Sequence, residues 1–268
     1  VEFGEKTYHV NEDCVRVSRN LGLDPEQIME ARLKEISSLE EVFKVFIPKR
    51  ADELTEHKIF RGRWVDVSKA GVAKSRWVCQ DIAWEKKDNE FFACTPSADS
   101  TRCLEAYAIF HGFNMMTADV STAFLHAQEN EKVAMHPPKE WAENHDPGLL
   151  WELIGNLYGR RPAMKNWQTH ATTVAESLGC IRGKTDASTY YHPLRKVAVV
   201  LHVDDFDMAG SDEDMKFLME GFARHLVLKV SPIIKVGQCG KFLGRDKIRV
   251  DDGLISVPDV GLINKVLD

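Results

Sequence analysis

An α+β fold built on an antiparallel sheet is the class this sequence predicts, and three features predict it. The order of elements, α, β-hairpin, α, β, α, β, β, α, β, mixes the two types throughout. IFRGRWVDVSKAGVAKSRWVCQDIAWE folds back on itself at Lys-Ala-Gly, and VAVVLHVDDFDMAG turns sharply at two adjacent aspartates. The 268 residues, 44% of them hydrophobic, suffice for one large domain or two subdomains with a sizeable core.

The elements follow in order. Residues 1–24 carry no strong periodicity and read as a poorly specified lead-in. In DPEQIMEARLKEISSLEEVFKVF, Asp24 is a natural N-cap and Pro25 suits the first helical position. Ile28, Leu33, Ile36, Leu39 and Val42 share one face of this helix, which breaks near Ser37-Ser38. The hairpin after it alternates basic and apolar residues, giving one charged face. Ser100 to Phe113 is helical, capped by Thr101 or Ser100 and closed by Gly112. NMMTADVSTAFLHA is a strand that ends in Asp119. LLWELIGNLYGRRPAMKNWQTHATTVAESLGC holds a short strand, a Gly-centred turn and a helix from about Ala163 to Leu178. Two strands then lead to the paired Asp204 and Asp205. SDEDMKFLMEGFARHL opens a helix with Ser211 as N-cap and acidic residues in the first turn. KFLG and KIRVDDGLISV supply short β pieces before a last, truncated helix.

Charge and cysteines narrow the function. A net charge of −6 argues weakly against a nucleic-acid partner, but from Lys44 to Lys87 there are 11 Lys and Arg against 6 Asp and Glu. One segment is basic, although a basic strand face in water needs no ligand. The cysteines at 14, 79, 94, 103, 180 and 239 form no C-x-x-C pair and no zinc-finger spacing, as expected of reduced, mostly buried thiols. No apolar run approaches the roughly 20 residues that span a bilayer. The start lacks the regions of a signal peptide. A first residue other than Met and an end in mid-pattern are what a fragment of a longer chain would show.

Two ionised carboxylates side by side after a buried strand repel each other by a few kcal/mol, even at an effective dielectric of about 20. A turn whose aspartates cap backbone N–H groups in water is one resolution. The other uses Asp119, at the end of a second apolar-flanked strand. Three carboxylates from two neighbouring strands make an oxygen-rich site for hard divalent cations, and paired cations about 3.5–4 Å apart serve phosphoryl transfer. Polymerase, nucleotide cyclase and phosphatase all remain open on spacing alone.

Several motifs nevertheless fall into one order. GRWVDV with KSRWVCQDI resembles kWVyk…kaRLVarGf, ADVSTAFLHA resembles DVkTAFLnG, and LWELIGNLYGRRPAMKNW resembles the LYGLkQ segment. SLGCIRGKTDASTYYH, HVDDFDMAG and KFLGRDKI resemble slGF…Dpsly, YVDDilIaG and yFLGiei. From about residue 28 to the C-terminus the chain thus resembles the reverse transcriptase domain of Ty1/copia-type retrotransposon polyproteins.

The resemblance implies a right-hand polymerase with an antiparallel palm sheet. Fingers with the N-terminal helix would occupy residues 25–98, the palm with an interleaved fingers segment 99–235, and the palm end with the start of a truncated thumb 236–268. It implies that Asp119, Asp204 and Asp205 are catalytic and hold two Mg²⁺ ions, which activate a primer 3′-hydroxyl and bind the incoming triphosphate. Lys74 and Arg76 match basic positions that bind that triphosphate. Phe124 matches an aromatic that blocks a ribose 2′-OH, although an ordinary core Phe stays open. Trp167 matches a packing position, and Trp77 and Cys79 read as half-buried strand residues. The implied partners are an RNA/DNA template-primer, dNTP, and the integrase and RNase H domains of a full-length element. No membrane is implied, and the location is intracellular, in a cytoplasmic virus-like particle or the nucleus.

Three positions leave the pattern. Pro162 stands where the family has Gln, His202 where it has Tyr, and Asp207 where it has an aliphatic residue. Asp207 could join metal binding or point outward. Two readings follow: a Mg²⁺-dependent RNA-directed DNA polymerase, or a copy of that fold that has lost catalysis and persists as a relic or nucleic-acid-binding module. A palm-type cyclase would explain the carboxylates but not the fingers segment.

Overall fold

A computed structural model describes residues 1–7, 9–82, 93–258 and 263–264. In chain order the elements are β1 (Glu2–Phe3), β2 (Lys6–Thr7), α1 (Glu12–Leu21), α2 (Pro25–Ser37), β3 (Phe46–Arg50), β4 (Lys58–Phe60), β5 (Gly62–Lys69), β6 (Val72–Cys79), α3 (Ala98–His111) and β7 (Asn114–Val120). There follow β8 (Val133–Met135), α4 (Lys139–Ala142), β9 (Leu149–Leu153), α5 (Ala163–Ser177), β10 (Ile181–Arg182), β11 (Thr189–His192), β12 (Val197–His202) and β13 (Asp205–Gly210). The last are α6 (Asp212–Ala223), β14 (Leu228–Val230), β15 (Cys239–Phe242), β16 (Arg245–Val250) and β17 (Gly253–Val257). The mixed α+β class with several sheets is as expected. Of the C-terminal helix region only 263 and 264 lie within the described residues.

The chain divides into two compact units, Val1–Phe91 with Phe124–Asn166, and Phe92–Ala123 with Trp167–Asp268. In the first, α1 forms within the stretch expected to be poorly specified. Asn11 caps it by accepting from the Cys14 N–H at 2.9 Å. Helix α2 starts as expected, with Asp24 and Gln27 in a reciprocal capping box behind Pro25. At Ser38–Val42 the helix widens to a π turn. The extra residue per turn rotates Val42 off the apolar face, so Ile28, Leu33, Ile36 and Leu39 are buried while Val42 is 64% exposed. These side chains form one core with Val45, Trp77, Trp151 and Leu157. Strands β5 and β6 make the expected hairpin, turning at Ala70 and Gly71, both at positive φ. Trp77 and Cys79 are fully buried rather than half-buried. A four-stranded sheet, ordered β3-β9-β8-β4, completes this unit.

The second unit is organised on a six-stranded sheet, β10-β11-β12-β13-β7-β14, antiparallel at every pairing. Helix α3 packs on one face, where Leu104, Ala108, Met115, Val200, Ala209 and Ile234 are buried together. Its cap is Ser97, three residues before the expected position, with its side chain accepting from the Ser100 N–H. Helix α6 packs on β13 with Ser211 as its N-cap, as expected. A separate three-stranded sheet, β15-β16-β17, follows. All six cysteines are free, but only Cys14, Cys79 and Cys180 are buried, so half rather than most are in the interior. Among the described residues no helix is long and apolar enough to cross a membrane.

Candidate active site

The hairpin of β12 and β13 turns through two residues, Val203 and Asp204, so that His202 faces Asp205 across it. Asp205 is therefore the first residue of a strand and not part of the turn. On its other side β13 pairs with β7, and the register makes Asp205 the direct partner of Asp119. Directly opposed residues project from the same face of a sheet, so these two carboxylates leave it side by side, with Asp204 adjoining.

The turn is held under strain. Val203 sits at φ +55, a left-handed conformation costing on the order of 1–3 kcal/mol for a β-branched residue. Two contacts fix it there. The indole N–H of the buried Trp167 donates to the Val203 carbonyl at 2.6 Å, and the Val120 N–H donates to the Asp204 carbonyl at 2.7 Å. Trp167 thus packs, as expected, and also pins the backbone that presents the aspartates.

Charge at this strand end is poorly compensated. Burial pushes the Asp205 carboxyl above its ordinary range, the charges of Asp204 and Asp119 push it further, and His202 opposes them. The basic side chain that reaches Asp119 is the exposed Lys229, its Nζ 3.8 Å from Oδ2. Lys229 lies opposite Asp119 on β14, a strand of three residues too short to betray itself by alternation. Among the described residues no ion pair reaches Asp204 or Asp205, and no three His, Cys, Asp or Glu side chains form a ready-made metal cluster. The donor set nonetheless fits Mg²⁺. It consists of half-buried, hard carboxylate oxygens, and that ion keeps several waters and takes only one or two carboxylates with phosphate oxygens.

Asp207 does neither of the things its sequence position left open. It is completely buried on β13 and ion-paired with Lys247 of β16, whose Nζ is also 2.9 Å from Glu105. Burial still pushes its carboxyl up to about 6, against the pull of Lys247. It belongs to the packing of α3 and β16 on the sheet.

The nucleotide-binding candidates belong to the first unit. Lys74 and Arg76 project from the exposed face of β6, opposite Val67 and Val65. Arg76 stacks over the Tyr158 ring, with Cζ 4.8 Å from its centroid. Phe124 lies in a short helical turn, Ala123–His126, half-buried against the core and edge-on to Tyr158 at 6.1 Å. Pro162 precedes α5, and its carbonyl accepts the helix bond from the Asn166 N–H at 2.9 Å. Sequence reasoning missed Tyr158, Lys229 and Lys247; the LYG motif was the available signal for the first.

Residues 41–268 match the family model described as reverse transcriptase (RNA-dependent DNA polymerase). A transposon Ty5-1 protein of Saccharomyces cerevisiae is 23% identical over 141 residues, covering 52% of this chain and 44% of that protein. The retrovirus-related Pol polyprotein from transposon TNT 1-94 of Nicotiana tabacum is 24% identical over 203 residues, covering 73% of this chain and 15% of the polyprotein. That from transposon RE2 of Arabidopsis thaliana is 22% identical over 168 residues, covering 62% and 11%. This chain spans less than half the length of each of these curated relatives.

Proposed function

The chain belongs to the reverse transcriptase family and is a distant homologue of copia-type Pol polyproteins, and from this we propose that it is an RNA-directed DNA polymerase adding nucleotides to a primer 3′-hydroxyl. The observation that carries the reading is the direct pairing of Asp119 with Asp205, beside Asp204 in a pinned turn.

On this reading residues 99–235 supply the palm, 25–98 and the interleaved segment the fingers, and 236–268 the palm end and start of the thumb. Asp119, Asp204 and Asp205 would hold the metal. Two Mg²⁺ bound there would activate the primer hydroxyl and neutralise the leaving pyrophosphate. The strained, doubly held turn keeps the carboxylates from relaxing apart, so they meet a cation without reorganising. Lys74 and Arg76 bind the triphosphate through charge-assisted hydrogen bonds. Phe124 excludes a ribose 2′-hydroxyl by its bulk. The partners are an RNA/DNA template-primer, dNTP and the other domains of a Pol polyprotein, integrase and RNase H.

Primer extension on an RNA template with Mg²⁺ tests this. Incorporation by the expressed polyprotein, reduced at least a thousandfold by Asp204→Asn, is the expected result on the scale of a removed catalytic group. Incorporation no greater than that of the mutant overturns it. One observation favours the second reading, loss of catalysis: Pro162 has no N–H and no side-chain amide, and cannot supply a glutamine's hydrogen bonds. Template-primer binding without incorporation would establish that reading instead.

A further inference from the structure

Among the arginines of the first unit, the two buried ones are fully engaged. Arg32 is bonded to Asp13, Asp66 and Glu140, and Arg160 to Asp81, Glu129 and Glu131. Arg76 is held differently. It is exposed, no ion pair reaches it among the described residues, and its fixed contact is the face of the Tyr158 ring. A ring face holds a guanidinium plane through its π electrons and leaves the N–H edges available, whereas a carboxylate consumes them. Arg76 is thus oriented with its donors still able to meet an anion.

Tyr158 is itself firmly set. Its carbonyl accepts from the Cys79 N–H at 2.8 Å, and Leu157 before it is completely buried. Gly159 after it sits at φ +82, where a Cβ would lie 2.2 Å from the Cys79 carbonyl oxygen, so only glycine allows so close an approach to β6. Arg160 and its three carboxylates hold the far end. The Tyr158 ring, 8% exposed, meets Arg76 on its face and Phe124 at its edge.

We propose that Tyr158 is a positioning residue for nucleotide selection, one ring that fixes the triphosphate-binding Arg76 and the sugar-excluding Phe124 relative to each other. This rests on the polymerase reading, which supplies the roles of those two residues. Loss of the ring frees both at once, so affinity for the triphosphate and discrimination between sugars fall together.

The test compares Tyr158→Leu, Tyr158→Met and Tyr158→Phe in the polyprotein, each first checked for a wild-type unfolding midpoint. Two quantities are read: the ratio of kcat/KM for dTTP over UTP, and the equilibrium binding of each nucleotide to the same variants carrying Asp204→Asn. The expected result is a roughly tenfold fall in both ratios, with a raised KM for dTTP, for Leu or Met, and values within about twofold of wild type for Phe. Should Leu fail to fold, Met, which fills the volume without a ring face, carries the comparison. An unchanged dTTP preference in a folded Leu or Met variant overturns the role of Tyr158 and leaves the polymerase reading standing. Absence of both incorporation and nucleotide preference in the parent overturns both. Preference in binding that depends on Tyr158, without incorporation, supports this inference and removes only the catalytic claim.

Discussion

Arg32 in the first unit and the three aspartates in the second meet the same difficulty, charge withdrawn from water, with opposite outcomes. Around Arg32, 1% exposed, Asp66, Glu140 and Asp13 contribute carboxylates at 2.7 to 3.0 Å, and the Trp64 ring lies 5.1 Å from Cζ. Asn11 and Trp64 also donate to the Glu140 carboxylate and Ser75 to that of Asp66, so α1, α2, α4 and the hairpin are tied through one cation. At the ends of β7 and β13 the carboxylates gather with an exposed lysine 3.8 Å away. A buried ionic network completed by its own side chains is structural. On the proposed reading, one left incomplete at an accessible strand end would be completed by a cation from outside, which is why the second region and not the first is proposed as the site of chemistry.

The comparison breaks most visibly through Arg32. Arg32→Met strands Asp66 and Glu140, whose side chains are 4% and 3% exposed, without their cation. The expected cost is roughly 3–5 kcal/mol, a large part of a domain's whole stability. Urea unfolding measures it. Asp204→Asn, which relieves repulsion, should leave the midpoint at or above that of wild type. Equal destabilisation by the two variants would erase the distinction between the regions.

A smaller effect is expected where the second unit does complete its charges. Lys247→Met leaves Asp207 buried and unpaired and should cost about 3 kcal/mol, whereas Lys247→Met with Asp207→Leu should come within about 1 kcal/mol of wild type or exceed it. A double variant as unstable as the single one would contradict pairing.

What could be read from the sequence was what neighbouring residues decide. Asp24 with Pro25, the Ala70-Gly71 turn and the Ser211 cap are local signals, and each marked its element. Helix α1 escaped because its core-facing positions, Cys14, Val17, Ser18 and Leu21, form a short stripe interrupted by a serine and flanked by polar residues. Val42 was misplaced because a π turn breaks the period without a sequence mark. The motifs identified the three aspartates, but the direct opposition of Asp119 and Asp205 is a matter of strand register, and Lys247 meets Asp207 from a separate sheet. Long-range pairings of this kind leave no local pattern.

Glu35 offers a third resolution of buried charge, and the smallest expected effect. Burial pushes its carboxyl from 4.5 up to about 7, partly offset by the Trp77 backbone N–H and the charge of Arg76, and its Oε1 has no hydrogen-bond partner. It leans toward the neutral acid where Asp66 and Glu140 keep an arginine. Because the folded value lies above the unfolded one, this stabilising contribution is complete below about pH 4.5 and is lost as pH rises through about 7. Glu35→Gln should therefore match wild type at pH 4 and exceed it at pH 8 by roughly 1–3 kcal/mol, flattening the pH dependence of the unfolding midpoint. A difference independent of pH would mean that Glu35 is ionised in the fold.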